Sequence, residues 1–347
     1  MSSLLTLTSA GLHCAAGGFH IDPWQPVARA LITHAHADHA RGGSAAYLGA
    51  AEGVSLLRAR LPLDATIETI PYGVSIRLGD VDVSFHPAGH VLGSAQIRIA
   101  TTDDVVVVSG DYKLASDATC AAFEPVRCRT FVTESTFGLP IYRWPASDTI
   151  FDQMLQWWAA NQRDGYASVI FAYALGKAQR IAAALMSREL PGPMFCHGAL
   201  ARINDAYRDA GVTLPPMQPV ATAAADTDWQ RALILAPPSA QGSTWMRRFE
   251  PCRTANASGW MAIRGARRRA NVDRGFVLSD HADWPALNAA VDASEAERIW
   301  VTHGYREEFV RWLNETRPGR VAISLTTRFE GEHGAAEVPP DVAEAPT

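Results

Sequence analysis

Residues 32–41 read ITHAHADHAR, which places His34, His36, Asp38 and His39 within six positions. Neutral imidazole nitrogens and carboxylate oxygens are ligands for zinc, with manganese as the alternative. Alternate residues of an extended chain share a face, so His34 and His36 are expected to point at one ion. A helix starting near Asp38 would turn Asp38 and His39 toward a second. A lone His-x-His is weak evidence, but few structural roles account for all four residues. Further candidates lie beyond apolar runs: His90 after the glycine turn in PAGHVLGS, Asp111 at the end of DDVVVVSGD, and His303 at the end of ERIWVTHGY. Taken singly, each reads as a hydrogen-bonded core or loop residue. Their recurrence in one context favours a metal site, in which the single carboxylate of Asp111 is placed to bridge two ions.

The elements that must position these residues are strands with polar tips. VSIRLGDVDVSFHPAG alternates apolar and polar residues and then turns at Gly89, DDVVVVSGD is a buried β-branched run, and RTFVTESTFG leads from Val132 to Glu134. RGFVLSDHADW and ERIWVTHGY repeat the design and end near His281 and His303. The middle of the chain alternates strands with helices, beginning with ASDTIFDQMLQWWAANQRDG, for which Ser147 or Asp148 is the expected N-cap. Such alternation implies a parallel sheet, here an α/β module of about 110 residues inserted in a mixed α/β scaffold. The tail GEHGAAEVPPDVAEAPT is rich in Pro, Ala and acids and reads as disordered.

The 347 residues are 48% hydrophobic and 19% charged, ample for a core. No apolar run is long enough to span a bilayer, and the N-terminus lacks the basic and apolar regions of a secretory leader. The five cysteines are scattered and form no C-x-x-C pair; the expected compartment is the reducing cytoplasm, and a thiolate zinc site is disfavoured. The net charge of −5 excludes a uniformly basic nucleic-acid coat. Charge is uneven, however: RGARRRANVDR holds Arg264, Arg267, Arg268, Arg269 and Arg274, with Arg247 and Arg248 upstream. Such a cluster is either a solvated face or a phosphate-binding patch.

The order His34-x-His36-x-Asp38-His39, His90, Asp111 resembles the metallo-β-lactamase superfamily, and Asp22 in FHIDPW resembles that superfamily's early loop-stabilising aspartate. Glu134 in TESTFG, His281 in LSDHADW and His303 in VTHGY resemble motifs A, B and C of the β-CASP nucleases. The likeness runs to about residue 330 and is strongest to the bacterial ligase-associated DNA exonucleases. It implies an αββα sandwich over residues 1–142 and 258–330, with a β-CASP domain inserted at 143–257 and a tail at 331–347. By the same resemblance, His34, His36 and His90 would hold one divalent metal. Asp38, His39 and His303 would hold the second, Asp111 would bridge them, His281 would be the general acid, and Glu134 would orient it or steer a ligand. The implied activity is 5′→3′ exonucleolytic hydrolysis of DNA in repair, in association with an ATP-dependent DNA ligase and a helicase. Ser239, Gly242 and Ser243 in PPSAQGS, and Ser279, offer hydroxyl and backbone N–H groups for a substrate phosphate; ordinary turn chemistry is the plainer account of each.

Three other functions compete. His303 suits RNA-cleaving members of the same family, because the eukaryotic DNA-specific crosslink-repair branch usually lacks a histidine there. Against RNA stands the early end of the chain, without room for the C-terminal extension of the ribonuclease J family. A small-molecule hydrolase such as a thioesterase or lactonase usually has its last histidine soon after the bridging aspartate, whereas here the α/β module lies between Asp111 and His303. A non-catalytic scaffold protein would have lost ligands, and none is missing.

Overall fold

The computed structural model describes residues 4–326, so the tail expected at 331–347 lies outside the described residues. The chain forms two compact units, one from residues up to 143 and from 281 onward, the other from Trp144 to Asp280.

In the first unit two sheets share an apolar layer. The six-stranded sheet runs in chain order from Thr6–Thr8 to Ile67–Ile70. The seven-stranded sheet has the order Val321–Ser324, Arg298–Thr302, Thr130–Glu134, Val105–Val108, Ala95–Ala100, Val81–Pro87, Ser75–Leu78. Its first four strands are parallel and the rest antiparallel. Because side chains alternate along a strand, Val106 and Val108 join the layer between the sheets, with Phe19, Ile21 and Leu31 from the other sheet. Val107 faces the opposite way, against Trp284, Leu287 and Phe309 of the helices Trp284–Ala293 and Arg306–Thr316. The parallel strands Val105–Val108, Thr130–Glu134 and Arg298–Thr302 run in one direction, so Asp111, Glu134 and His303 lie at the same end of the sheet.

The second unit is a six-stranded sheet paired parallel throughout, in the order Gln218–Pro219, Met194–Cys196, Leu233–Ala236, Ala167–Phe171, Cys252–Ala257, Arg274–Phe276. Both faces are covered. Ile170 packs with Trp158 and Ile181 on one side, and Val169 and Phe171 with Phe249 on the other. This explains the unbroken apolar run of ASVIF in the sequence.

Three local expectations differ from the structure. The boundary expected at 257 falls inside a sheet, because Arg274–Phe276 pairs with Ala255–Ala257 and keeps the chain in this unit to Asp280. The helix Ser147–Arg163 is entered from Ala146 without a side-chain cap. Ser147 instead accepts a hydrogen bond from Arg180 Nη2 (2.8 Å), and Asp148 one from Arg188 Nη2 (2.8 Å), so charge-assisted bonds take the place of capping. No helix starts at Asp38: His36 is followed by one turn, closed by His39 N–H (3.2 Å) and Ala40 N–H (2.8 Å) on the His36 carbonyl.

Candidate metal centre

The turn after Leu31 presents His34 and His36 together, and His90 meets them from the loop after Val81–Pro87. Ser94 Oγ holds that loop by accepting the N–H groups of His90 (3.0 Å) and Val91 (3.2 Å). His36 Nδ1 lies 3.0 Å from His34 Nε2 and 3.1 Å from His90 Nε2. Asp111 Oδ2 is 3.6 Å from His34 Nε2 and 3.8 Å from His90 Nε2. One proton can satisfy only one of the two contacts to His36 Nδ1, whereas a cation at the centre satisfies all four atoms. Tetrahedral zinc with ligands at 2.0–2.1 Å sets its ligand atoms about 3.4 Å apart, close to the separations found. Burial lowers the His34 pKa well below its ordinary value, so its imidazole is neutral with a lone pair to give. The donor set therefore fits a divalent metal.

A second group shares the same carboxylate oxygen. His39 Nε2 is 3.5 Å from Asp111 Oδ2 and 3.6 Å from Asp38 Oδ2, and the ligand atoms of His39, Asp111 and His303 lie within 4.8 Å of one another. Asp38 is the exposed member of the set. Asp22 accepts from His39 Nδ1 (2.7 Å), Thr33 N–H (2.8 Å) and Thr33 Oγ1 (2.5 Å), which turns His39 Nε2 toward Asp111. Burial opposes a charged His39, yet Asp38, Asp111 and Asp22 together push its pKa well above the ordinary value. A dication placed among those carboxylates would replace that proton. His303 follows the strand Arg298–Thr302 with φ of +54°, and Ser135 Oγ holds its carbonyl. Burial lowers its pKa and keeps it neutral.

Asp111 is reached through Gly110, at φ +57°, where an added Cβ would stand 2.6 Å from Thr33 Cβ. Burial would raise the Asp111 pKa, but the charges of His39 and His281 hold it well below the carboxylate range.

Asp111, Glu134 and His281 form a third group of metal-ligating types. Here the hydrogen bonds favour another role. Buried Glu134 accepts the Tyr112 N–H (2.9 Å) on Oε1 and His281 Nδ1–H (2.9 Å) on Oε2. The His281 nitrogen nearest Asp111, at 4.0 Å, thus carries a hydrogen, and Nε2 remains for other chemistry. The edge-on ring of Phe137, with centroids 6.0 Å apart, also borders His281.

Ser239, Gly242 and Ser243 are exposed on the segment after Leu233–Ala236, where Ser243 Oγ donates to the Ala240 carbonyl (2.8 Å), an ordinary turn contact. Ser279 is buried and its carbonyl accepts Arg180 Nη1 (2.6 Å). All four belong to the second unit, whereas the candidate metal-ligating groups belong to the first. Thr33 and Tyr112 support the site without a recognisable signal in the sequence. Thr33 is legible only as the residue before His34, and Tyr112 acts through its backbone.

Known proteins of two kinds are similar to this chain. It is 30% identical over 336 residues, 96% of its length, to a "Probable DNA ligase" of Opitutus terrae, and spans 32% of that protein. It is 24% identical over 141 residues, 39% of its length, to RNase aCSPSF2 of Saccharolobus solfataricus, and spans 28% of it. The chain thus spans about a third or less of these curated relatives. No protein-family model matches it. Among solved structures, a protein of unknown function from Enterococcus faecalis V583 shares the fold at a TM-score of 0.58 and 13% identity, over 86% of this chain and 79% of that one. No helix of the described residues is long and apolar enough to cross a membrane.

Proposed function

We propose that this protein is a metal-dependent exonuclease that hydrolyses the phosphodiester bonds of DNA at a binuclear centre, 5′→3′ and in repair. The observation that carries the reading is Asp111 Oδ2, which faces His34, His90 and His39 at 3.5–3.8 Å and so serves both ligand groups. His34, His36 and His90 would hold one ion and Asp38, His39 and His303 the other, with zinc favoured by the imidazole-rich set and manganese the alternative. Two bound dications supply Lewis acidity at the phosphoryl oxygens and a lowered pKa for the attacking water. The chain's own part is the proton on the leaving oxygen. Hydrolysis adds a water oxygen to phosphorus and breaks the bond to the ester oxygen, which departs with a proton. His281 donates it from Nε2, while Glu134, held by the Tyr112 N–H, orients the ring and stabilises the imidazolium. Ser239, Gly242, Ser243 and Ser279 hold a substrate phosphate.

DNA is favoured by the 30% identity, over nearly the whole chain, with a protein named as a DNA ligase. The same likeness supports an association with a DNA ligase; the ATP dependence of that ligase, a helicase partner and a cytoplasmic setting are proposed through the motif resemblance to ligase-associated exonucleases. A second reading, an RNA-processing β-CASP ribonuclease, draws on His303 and on the partial similarity to RNase aCSPSF2. The deciding experiment digests end-labelled DNA and RNA of one sequence, each with a 5′-phosphate or a 5′-hydroxyl, in zinc or manganese. The expected result is DNA shortened from its 5′ end. Degradation of RNA alone would transfer the assignment to the second reading, and cleavage of neither would end both.

A further inference from the structure

Residues 247–274 carry eight arginines and two carboxylates, Glu250 and Asp273, a charge of +6 within a chain whose total is −5. The helix Arg264–Arg269 sets Arg264, Arg267 and Arg268 at i, i+3 and i+4, all exposed, with Ala266 buried. That spacing gathers three guanidinium groups on one face. The Arg267 stem lies against Gly275, where an added Cβ would meet its Cγ and Cδ at 3.2 Å. This brings the helix beside Arg274, whose guanidinium sits 5.8 Å from the Phe276 ring. Gln241 Nε2 donates to the carbonyls of Ala270 (2.7 Å) and Asn271 (3.2 Å), tying the exposed Gly242–Ser243 turn to the end of the same helix.

Of the two carboxylates, Asp273 is otherwise engaged. Asp273 Oδ2 accepts the Thr254 N–H (2.7 Å) and hydroxyl (3.2 Å). Among the described residues, none of Arg247, Arg264, Arg267, Arg268 and Arg274 forms an ion pair. Arg274 on an outer strand would by itself read as protection of a sheet edge, but that leaves the helix unexplained. An anionic membrane fits poorly, because none of the exposed large apolar side chains lies in this stretch, and an interfacial helix needs such a wedge. Trp260, half-buried, lies in the turn Gly259–Ala262 that leads into this helix, whereas the Trp245 ring is packed against Phe249 (4.7 Å) and His197 (4.8 Å). Guanidinium forks match phosphate oxygens, and indole faces are platforms for unpaired bases.

We propose that this arginine face binds the sugar-phosphate backbone of a single-stranded nucleic acid and raises affinity without entering the chemical step; that the strand is a substrate rests on the nuclease reading above. The test is the triple charge reversal Arg264→Glu, Arg267→Glu, Arg268→Glu in the full chain, checked for folding by circular dichroism, with the triple alanine variant as substitute if it misfolds. Binding of a labelled phosphorothioate oligothymidylate is followed by anisotropy across a salt series, beside hydrolysis of bis(p-nitrophenyl) phosphate. The expected result is affinity about tenfold or more weaker, with a salt slope shallower by roughly two, and unchanged hydrolysis of the small diester. Equal affinity and slope in the variant would overturn the proposal. So would a wild-type protein that binds phosphatidylglycerol vesicles but not the oligonucleotide. If the wild type cleaves no polynucleotide while the variant still loses binding, the surface stands and the nuclease reading falls.

Discussion

Asp111 shows how a single atom can organise a site. Its Oδ2 faces three imidazole nitrogens at 3.5–3.8 Å, and it is nearly fully buried. An isolated carboxylate would be costly there, so positive charge must surround it. Asp111→Ala is expected to reduce both metal content and turnover, because both ligand groups lose their common oxygen. Full metal loading in that variant, measured by atomic absorption, would remove the bridging role. His281 differs, since its Nδ1–H is committed to Glu134. His281→Ala is expected to lower kcat by about 10²–10⁴, the usual range for losing a general acid, with metal content near wild type. Loss of both metals would instead make His281 a ligand.

At the scale of elements, strand ends deliver the candidate ligands and tight turns aim them. Gly110 joins the strand Val105–Val108 to Asp111, and its neighbour across the gap, Thr33, is hydrogen-bonded to Asp22, the residue that orients His39. Gly110→Ala is therefore expected to cost more than the roughly 1 kcal/mol of an alanine at positive φ and to weaken metal binding at the same time. Gly73→Ala is the control: it sits at φ +73° with nothing within 4 Å of an added Cβ. Equal losses in urea unfolding and equal metal contents for the two variants would show that Thr33 yields without disturbing the site.

For the molecule as a whole, every candidate metal-ligating group described lies in one of its two compact units. Chelation is therefore expected to lower the thermal midpoint of the transition that melts that unit. With metal at a thousand times Kd the binding contributes about 4 kcal/mol, or roughly 10 °C for a unit of this size; an unmoved midpoint would mean that no metal is held. Much of this was legible in the sequence. The crowd of imidazoles in ITHAHADHAR offers metal-ligand types at a spacing that few structural roles explain, whereas the carboxylate after DDVVVVSGD gains that meaning only beside the other strand-end candidates. The βα alternation of the middle determines a parallel sheet, because antiparallel neighbours would not need helical crossovers. The beginning of the helix at Ser147, the turn in place of a helix at Asp38, and the extension of the second unit to Asp280 were decided by long-range partners: Arg180, the carbonyl of His36, and the pairing of Arg274–Phe276. So was the bond between Glu134 and His281, two residues 147 positions apart. Residue type and local period are properties of a few neighbouring positions and can be read directly; a hydrogen bond between distant residues exists only once packing has placed the donor within reach of the acceptor.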